Sequence, residues 1–203
     1  MIRQSITDIT IVLDRSGSMS SICKPTMKAF NRFVKSQCKG PDEAFLSLVQ
    51  FDDQYEPVYS RMPIVRAPKL TSQTYVPRGS TALFDAIGRT IESAHQRLVH
   101  SGMDSYANVV MVIQTDGLEN ASRYYSRERI NAMISRFRDQ HRWEFVVLGA
   151  NQDAIMSAAS VGIPRGAAIT YGATCNGTHA VFDILGQKMS ARRRASVQNE
   201  QPA

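Results

Sequence analysis

Soft metal ligands are scarce in this chain, with three cysteines and four histidines among 203 residues. Cys23, Cys38 and Cys175 form an odd set without CxxC spacing. Neither a zinc group nor a disulfide framework is expected, and the three read as free thiols of a reducing compartment. No stretch approaches the roughly 18 apolar residues that suggest a membrane span. Met1 to Ser5 lead directly into strand-like sequence carrying Asp8, unlike a secretory leader, so the expected location is cytoplasmic. G-x-G-x-x-G and G-x-x-x-x-G-K-[ST] are both missing, which leaves dinucleotide and P-loop chemistry unsupported. The G-x-S-x-G elbow is missing too, and His141 has no identifiable orienting partner for nucleophilic catalysis. There are no internal repeats.

What is present describes an ordinary folded protein. Hydrophobic residues make up 43% and charged residues 21%, a balance that excludes a disordered chain. The length fits one domain, placed at residues 1–194 with a flexible tail at 195–203. The net charge of +6 is modest. Its dense basic run, Arg192 to Arg194, reads as the solvated face of a terminal helix. No recognition motif or aromatic interleaving accompanies that run, so nucleic acid is not an expected partner.

Oxygen ligands are better supplied. Ile9 to Leu13 is apolar or β-branched throughout and reads as a buried strand. Asp14, Ser16 and Ser18 follow at alternating positions, with Gly17 permitting a sharp turn between the serines. Carboxylate and hydroxyl oxygens suit a hard cation such as Mg²⁺. The same residues also suit a serine-rich turn in which Asp14 caps the next helix. Two later stretches bear on the choice. Thr81 stands just before a helical pattern, and Asp116 ends another apolar strand, Val109 to Gln114. An open parallel sheet binds ligands beyond the carboxyl ends of its strands, where Asp14 and Asp116 both fall.

The remaining pattern alternates strands with helices. Ser20 or Ser21 is expected to cap a helix to about Gln37, with Met27, Phe30, Phe33 and Val34 as its stripe. Ala44 to Phe51 is a strand, Asp52 and Asp53 a hairpin turn, and Tyr55 to Arg61 an edge strand that tolerates Pro57. Met62 to Tyr75 reads as a long surface connection. Helices are expected over Ala82 to His100, from a Ser126 cap to His141, over Ala154 to Ser160, and over Thr178 to Arg193. Trp143 to Leu148 and Ala168 to Tyr171 supply further strands, and Gly177 is read as the entrance to the last helix. His95 and His100 read as surface residues. Asp85 is expected either to bond a loop or to pair with the dipole of its helix. Glu119 has two candidate roles, holding a metal-bound water or repelling an incoming carboxylate. This alternation implies a doubly wound, mostly parallel sheet with helices on both faces.

Taken together, Asp14-x-Ser16-x-Ser18, the distant Thr81 and the distant Asp116 resemble the metal-ion-dependent adhesion site of the von Willebrand factor A domain, also called the integrin I-type domain. The resemblance runs from about Ile6 to the last helix and is nearest to small stand-alone bacterial or phage members. It implies a Rossmann-like six-stranded sheet in the order 3-2-1-4-5-6, with strand 3 antiparallel. It also implies a metal-dependent protein-binding module and not an enzyme. Ser16, Ser18 and Thr81 would contact Mg²⁺, or Mn²⁺, through hydroxyls, with Asp14 and Asp116 acting largely through bound waters. A partner's Asp or Glu would fill the remaining position. Two alternatives accompany it: a scaffold or regulatory subunit of an ATPase or chaperone-like complex, and a Mg²⁺-dependent phosphohydrolase.

Overall fold

Two apolar runs set the centre of the sheet. β1 (Ile6–Asp14) and β4 (Asn108–Thr115) lie side by side in parallel, Ile11 opposite Val112, and both are buried along nearly their whole length. Strands buried on both faces read as continuous hydrophobic sequence, as these do. A computed structural model describes residues 6–40, 42–104, 107–150, 156 and 162–198. Its sheet has the order β3-β2-β1-β4-β5-β6. β2 (Glu43–Phe51), β5 (Glu144–Gly149) and β6 (Ala168–Thr170) are parallel to the centre, and only β3 (Tyr55–Pro63) runs antiparallel, as a hairpin with β2.

The period-2 alternation of β1 sorts its side chains between two cores. Ile9, Ile11 and Leu13 pack with Phe30 and Phe33 of α1 (Cys23–Gln37) and with Phe182 and Leu185 of α4 (Cys175–Gln198). Val12 faces the other layer, with Ile87 and Ile91 of α2 (Leu83–His100) and Ile130 and Ile134 of α3 (Arg127–His141). From β1 the chain crosses to β2 on one side, and the β4 half continues on the other. The strand order therefore reverses between β1 and β4, and a crevice opens at their carboxyl ends.

Several local expectations change. Ser20 and Ser21 do not cap α1. They lie in a 3-10 turn, Gly17–Ile22, where their hydroxyls bond back to the Gly17 and Ser18 carbonyls, and α1 starts at Cys23 without a side-chain cap. The 62–75 connection is not purely superficial, since Ile64, Leu70 and Tyr75 are buried in the α1-side core. His95 is half-buried and meets Phe137, His141 and Trp143 edge-on. Gly177 sits inside the first turn of α4, against the Gly172 carbonyl, because that helix begins two residues earlier. α4 also extends to Gln198, so part of the expected tail is helical. The expected helix over Ala154 to Ser160 lies outside the described residues except for Met156. By contrast, Ser126 caps α3 as its sequence suggests, accepting from Arg129 N. Among the described residues no helix is long and apolar enough to cross a membrane.

The basic run near the end of α4 is the largest revision. Arg193 is not solvated. Its side chain is 1% exposed, and its Nε donates to Asp42 Oδ1 at 2.6 Å while Nη1 donates to the Gln37 carbonyl at 2.6 Å. Asp42 also accepts from Thr7 Oγ1. The guanidinium lies so close over Gly40 that a Cβ there would collide with it. Removing one member of a buried ion pair strands the other charge. Arg193→Ala is expected to cost about 3–5 kcal/mol in urea denaturation, and exposed Arg194→Ala under about 0.5 kcal/mol. Similar small losses for both variants would mean that the pair contributes nothing.

Candidate metal centre

Asp14, Ser16, Ser18, Thr81 and Asp116 converge at the crevice. Asp14 is fully buried, with Oδ1 accepting from Ser16 N at 2.7 Å and Oδ2 from Thr115 Oγ1 at 2.6 Å. The Tyr75 hydroxyl donates to the Asp14 carbonyl at 2.6 Å, which ties the 62–75 connection to the end of β1. Ser16 Oγ and Ser18 Oγ are 3.1 Å apart, and Ser18 Oγ donates to Asp116 Oδ1 at 2.7 Å. A Cβ built on Gly117 would lie 3.6 Å from Thr81 Oγ1 and 3.7 Å from Ser18 Oγ, so the threonine hydroxyl shares the same small space.

The surrounding loops are held by hydrogen bonds. Gly17 N donates to the Gly79 carbonyl at 3.1 Å and Arg78 N to the Arg15 carbonyl at 2.7 Å, clasping the serine turn to the connection leading into Thr81. Gly79 has φ +66, and a side chain there would also run into Asp53, so the clasp needs glycine. Thr81 donates its N–H to Asn120 Oδ1 at 2.8 Å, and its carbonyl accepts from Asn120 N and Ala121 N. Asp85 does bond a loop: its carboxylate accepts from the N–H groups of Arg123, Tyr124 and Tyr125, each at 2.9 Å. Glu119 is committed in a similar way. Its oxygens accept from Phe84 N, Ala121 N, Ser122 N and Ser122 Oγ, so it braces the start of α2 instead of facing an incoming group.

A charged cluster beside the site carries no motif in the sequence. Arg15, between Asp14 and Ser16, turns away and pairs with Asp52 at 3.0 Å and Glu56 at 2.6 Å, while Arg78 reaches Asp52 at 2.8 Å. The hairpin-turn reading of Asp52 holds, with Oδ1 accepting from Gln54 N. Burial pushes the Asp52 carboxyl up, but the Arg78 hydrogen bond, the Gln54 N–H and Arg15 outweigh it and its pKa falls. No sequence spacing could have joined residues 15, 52, 56 and 78. The available signal was an arginine inside an otherwise oxygen-ligand turn.

Asp14 has the opposite electrostatics. No cationic side chain pairs with it among the described residues, and burial pushes its carboxyl up to about 6 against the Thr115 and Ser16 hydrogen bonds, with Asp116 adding to the rise. Asp116 is raised as well, by burial, despite the bond from Ser18. Two carboxylates that resist ionisation, ringed by three hydroxyls, form a donor set of oxygen alone. It fits a hard divalent cation and offers nothing to a soft one. Among the described residues no group of three or more His, Cys, Asp or Glu side chains makes an alternative site. Cys23 and Cys38 are free thiols.

Because the folded pKa of Asp14 is raised, its contribution to the stability of the metal-free chain is fully present below about pH 3.9. That contribution is lost as pH rises through about 6. Asp14→Asn removes this dependence. In chelator, the melting temperature of the variant should gain on that of the parent as pH climbs from 4 to about 7. A constant difference across that range would mean that burial does not penalise the Asp14 carboxylate.

Comparison with known proteins identifies the family and the fold. The model of the von Willebrand factor type A domain matches residues 8–163. No curated protein sequence matches the chain. The von Willebrand factor domain of the type V pilus tip protein Mfa5 from Porphyromonas gingivalis superposes with a TM-score of 0.66 at 14% identity, covering 100% of this chain and 98% of that one. Proximal thread matrix protein 1 of the mussel byssus, in a structure with a zinc-occupied metal-ion-dependent adhesion site, gives 0.66 at 15% identity over 90% of this chain. This chain spans about half of that protein, 47% of its length. The pilus adhesin SpaC of Lactobacillus rhamnosus GG gives 0.68 at 12% identity, over 92% of this chain and 30% of that one. With a family model covering most of its length and the family's sheet order in its fold, this chain belongs to the von Willebrand factor type A domain family.

Proposed function

We propose that the chain is a metal-dependent protein-binding module, with Asp14, Ser16, Ser18, Thr81 and Asp116 as its metal site. The observation that carries this reading is the buried, cation-free Asp14 beside the hydrogen-bonded run Ser16–Ser18–Asp116. Two carboxylates raised in pKa and facing one crevice repel each other unless a positive charge lies between them. Ser16, Ser18 and Thr81 supply neutral oxygens for that charge, and Asp14 and Asp116 balance it from behind. Bound there, Mg²⁺ or Mn²⁺ supplies a Lewis-acidic position that an Asp or Glu of a partner protein can fill. The zinc-occupied site of the mussel protein supports a divalent ion in this geometry, while the all-oxygen donor set favours Mg²⁺ in this chain.

The chain's own residues perform the remaining work. Asn120 holds the N–H of Thr81 and Glu119 that of Phe84 at the start of α2, so the backbone that carries the hydroxyl is fixed. Asp85 anchors the far side of the same loop. None of these groups needs to give or take a proton, which suits capture of a ligand and not turnover. The unit is proposed as one domain over residues 1–194. The structural neighbours are a byssal matrix protein and pilus proteins, so a cytoplasmic setting gains no support from them.

Asp116→Ala removes a carboxylate from the crevice without opening the core. It should abolish the rise in melting temperature produced by Mg²⁺ and leave the chelator-treated protein folded. Thr81→Ala should weaken binding of carboxylate-bearing peptides while sparing most of the bare-metal affinity measured by calorimetry, and Thr81→Ser should restore the binding. If Thr81 only shapes the start of α2, the Ala variant should instead lose about 0.5–2 kcal/mol of stability and no affinity. Hydrolysis of phosphate esters that disappears in both Asp14→Ala and Asp116→Ala would replace the binding reading with a catalytic one.

A further inference from the structure

Beside the metal crevice a polar cleft of about 740 Å³ opens between the β2–β3 hairpin, the first turns of α2 and the 120–124 loop. Ser80, next to Thr81, and Asn120, bonded to Thr81, line it, so it adjoins the proposed metal site although none of the five metal residues lines it. Its charges are unequally satisfied. Asp85, on its wall, is saturated by three backbone N–H groups. Asp53 stands exposed on the hairpin lip. Two guanidiniums in the cleft, those of Arg89 and Arg123, have no carboxylate partner among the described residues.

Arg89 is also held ready. Its guanidinium lies 4.9 Å from the ring centre of Tyr124 and 5.7 Å from that of Tyr55. A guanidinium over an aromatic ring retains N–H donors that can make two-pronged contact with a carboxylate. Tyr124 is 65% exposed, so its ring is accessible to a partner. Exposed Arg123 lies on the same loop.

We infer that this cleft is a second subsite for the partner, receiving an additional acidic side chain of the same extended segment whose first acid engages the metal. The inference rests on the proposed metal-dependent reading. Arg89 and Arg123 pair with the second carboxylate, and Tyr124 closes over the intervening backbone. Asp53 on the opposite lip disfavours acids on that side, so the segment leaves the metal towards α2. The partner is therefore a strand-like or loop segment with two acids, not one.

The probe is a set of peptides acetylated and amidated at their ends, so that side chains are their only carboxylates. One carries a single Asp. The others add a second Asp or Glu, spaced roughly two to six residues away, since an extended chain advances about 3.3 Å per residue. Binding is read by fluorescence anisotropy with Mg²⁺ and with chelator. The single-acid peptide should bind only with Mg²⁺, and one spacing of the two-acid series should bind about tenfold tighter or better. That gain should vanish in Arg89→Ala/Arg123→Ala and shrink in Arg89→Lys, which keeps the charge and loses the fork. Single-acid binding should be unchanged in both. No gain at any spacing, or a gain that survives both arginine variants, overturns the second subsite while single-acid binding keeps the metal reading. Single-acid binding that persists in chelator or in Asp116→Ala overturns the metal reading itself.

Discussion

A carboxylate carried into the protein interior without a counter-ion is the constraint on which the rest depends. Asp14 ends β1 at the point where the strand order reverses, fully buried and opposite the end of β4. Only neutral donors reach it, Thr115 Oγ1 and Ser16 N. Neutral donors can orient a carboxylate but only partly offset the loss of water. The protein answers in two ways. It raises the pKa of the group, and it surrounds the neighbouring space with hydroxyls that can share an ion.

The adjoining charges are arranged so as not to relieve that tension. Arg15 follows Asp14 directly and could have neutralised it, yet it is drawn off by Asp52 and Glu56. Arg78 joins the same cluster. The ion-paired group thus does structural duty, clasping the serine turn to the hairpin and to the residues before Thr81. The crevice is left electronegative. Glu119 and Asp85 show the same division of labour, since each spends its charge on backbone N–H groups of the loop. Asp14 and Asp116, by contrast, accept from neutral groups at the crevice, Ser16 N and Thr115 Oγ1 for the one and Ser18 Oγ for the other.

What the sequence made legible follows from the range of the interactions involved. The doubly wound class was readable because buried parallel strands announce themselves as apolar runs, and Ser126 because a cap acts three residues away. Residues 14, 16 and 18 were readable as a local turn, 116 as the end of an apolar strand, and 81 as a ligand through the family resemblance. The strand order came from that resemblance as well. Neither could come from periodicity, which says nothing about which strands are neighbours. The failures involve distant partners or a local turn that competes with the expected one. Arg193 looks like a solvated residue in a basic run until Asp42 and Gln37 are placed beside it. Ser20 looks like a cap until the 3-10 turn claims its hydroxyl. Tyr75 looks like loop until its hydroxyl is seen to hold the end of β1. The Arg15 cluster joins three separate stretches that share no periodic relation.

The Arg193 pair has a mechanical consequence for α4. The guanidinium occupies a slot over Gly40 and is bonded to Asp42 and to the end of α1. A packed helix that ratchets past its neighbours to a new register moves by a turn, about 5.4 Å. One such step would pull a fully buried cation out of its slot and leave the Asp42 carboxylate behind it. Breaking a buried pair in this way costs several kcal/mol, more than a captured acidic side chain would readily return through a single coupling of 1–3 kcal/mol or so. α4 is therefore pinned like a bolted strut, and axial sliding of this helix is a poor channel for carrying a signal away from the crevice.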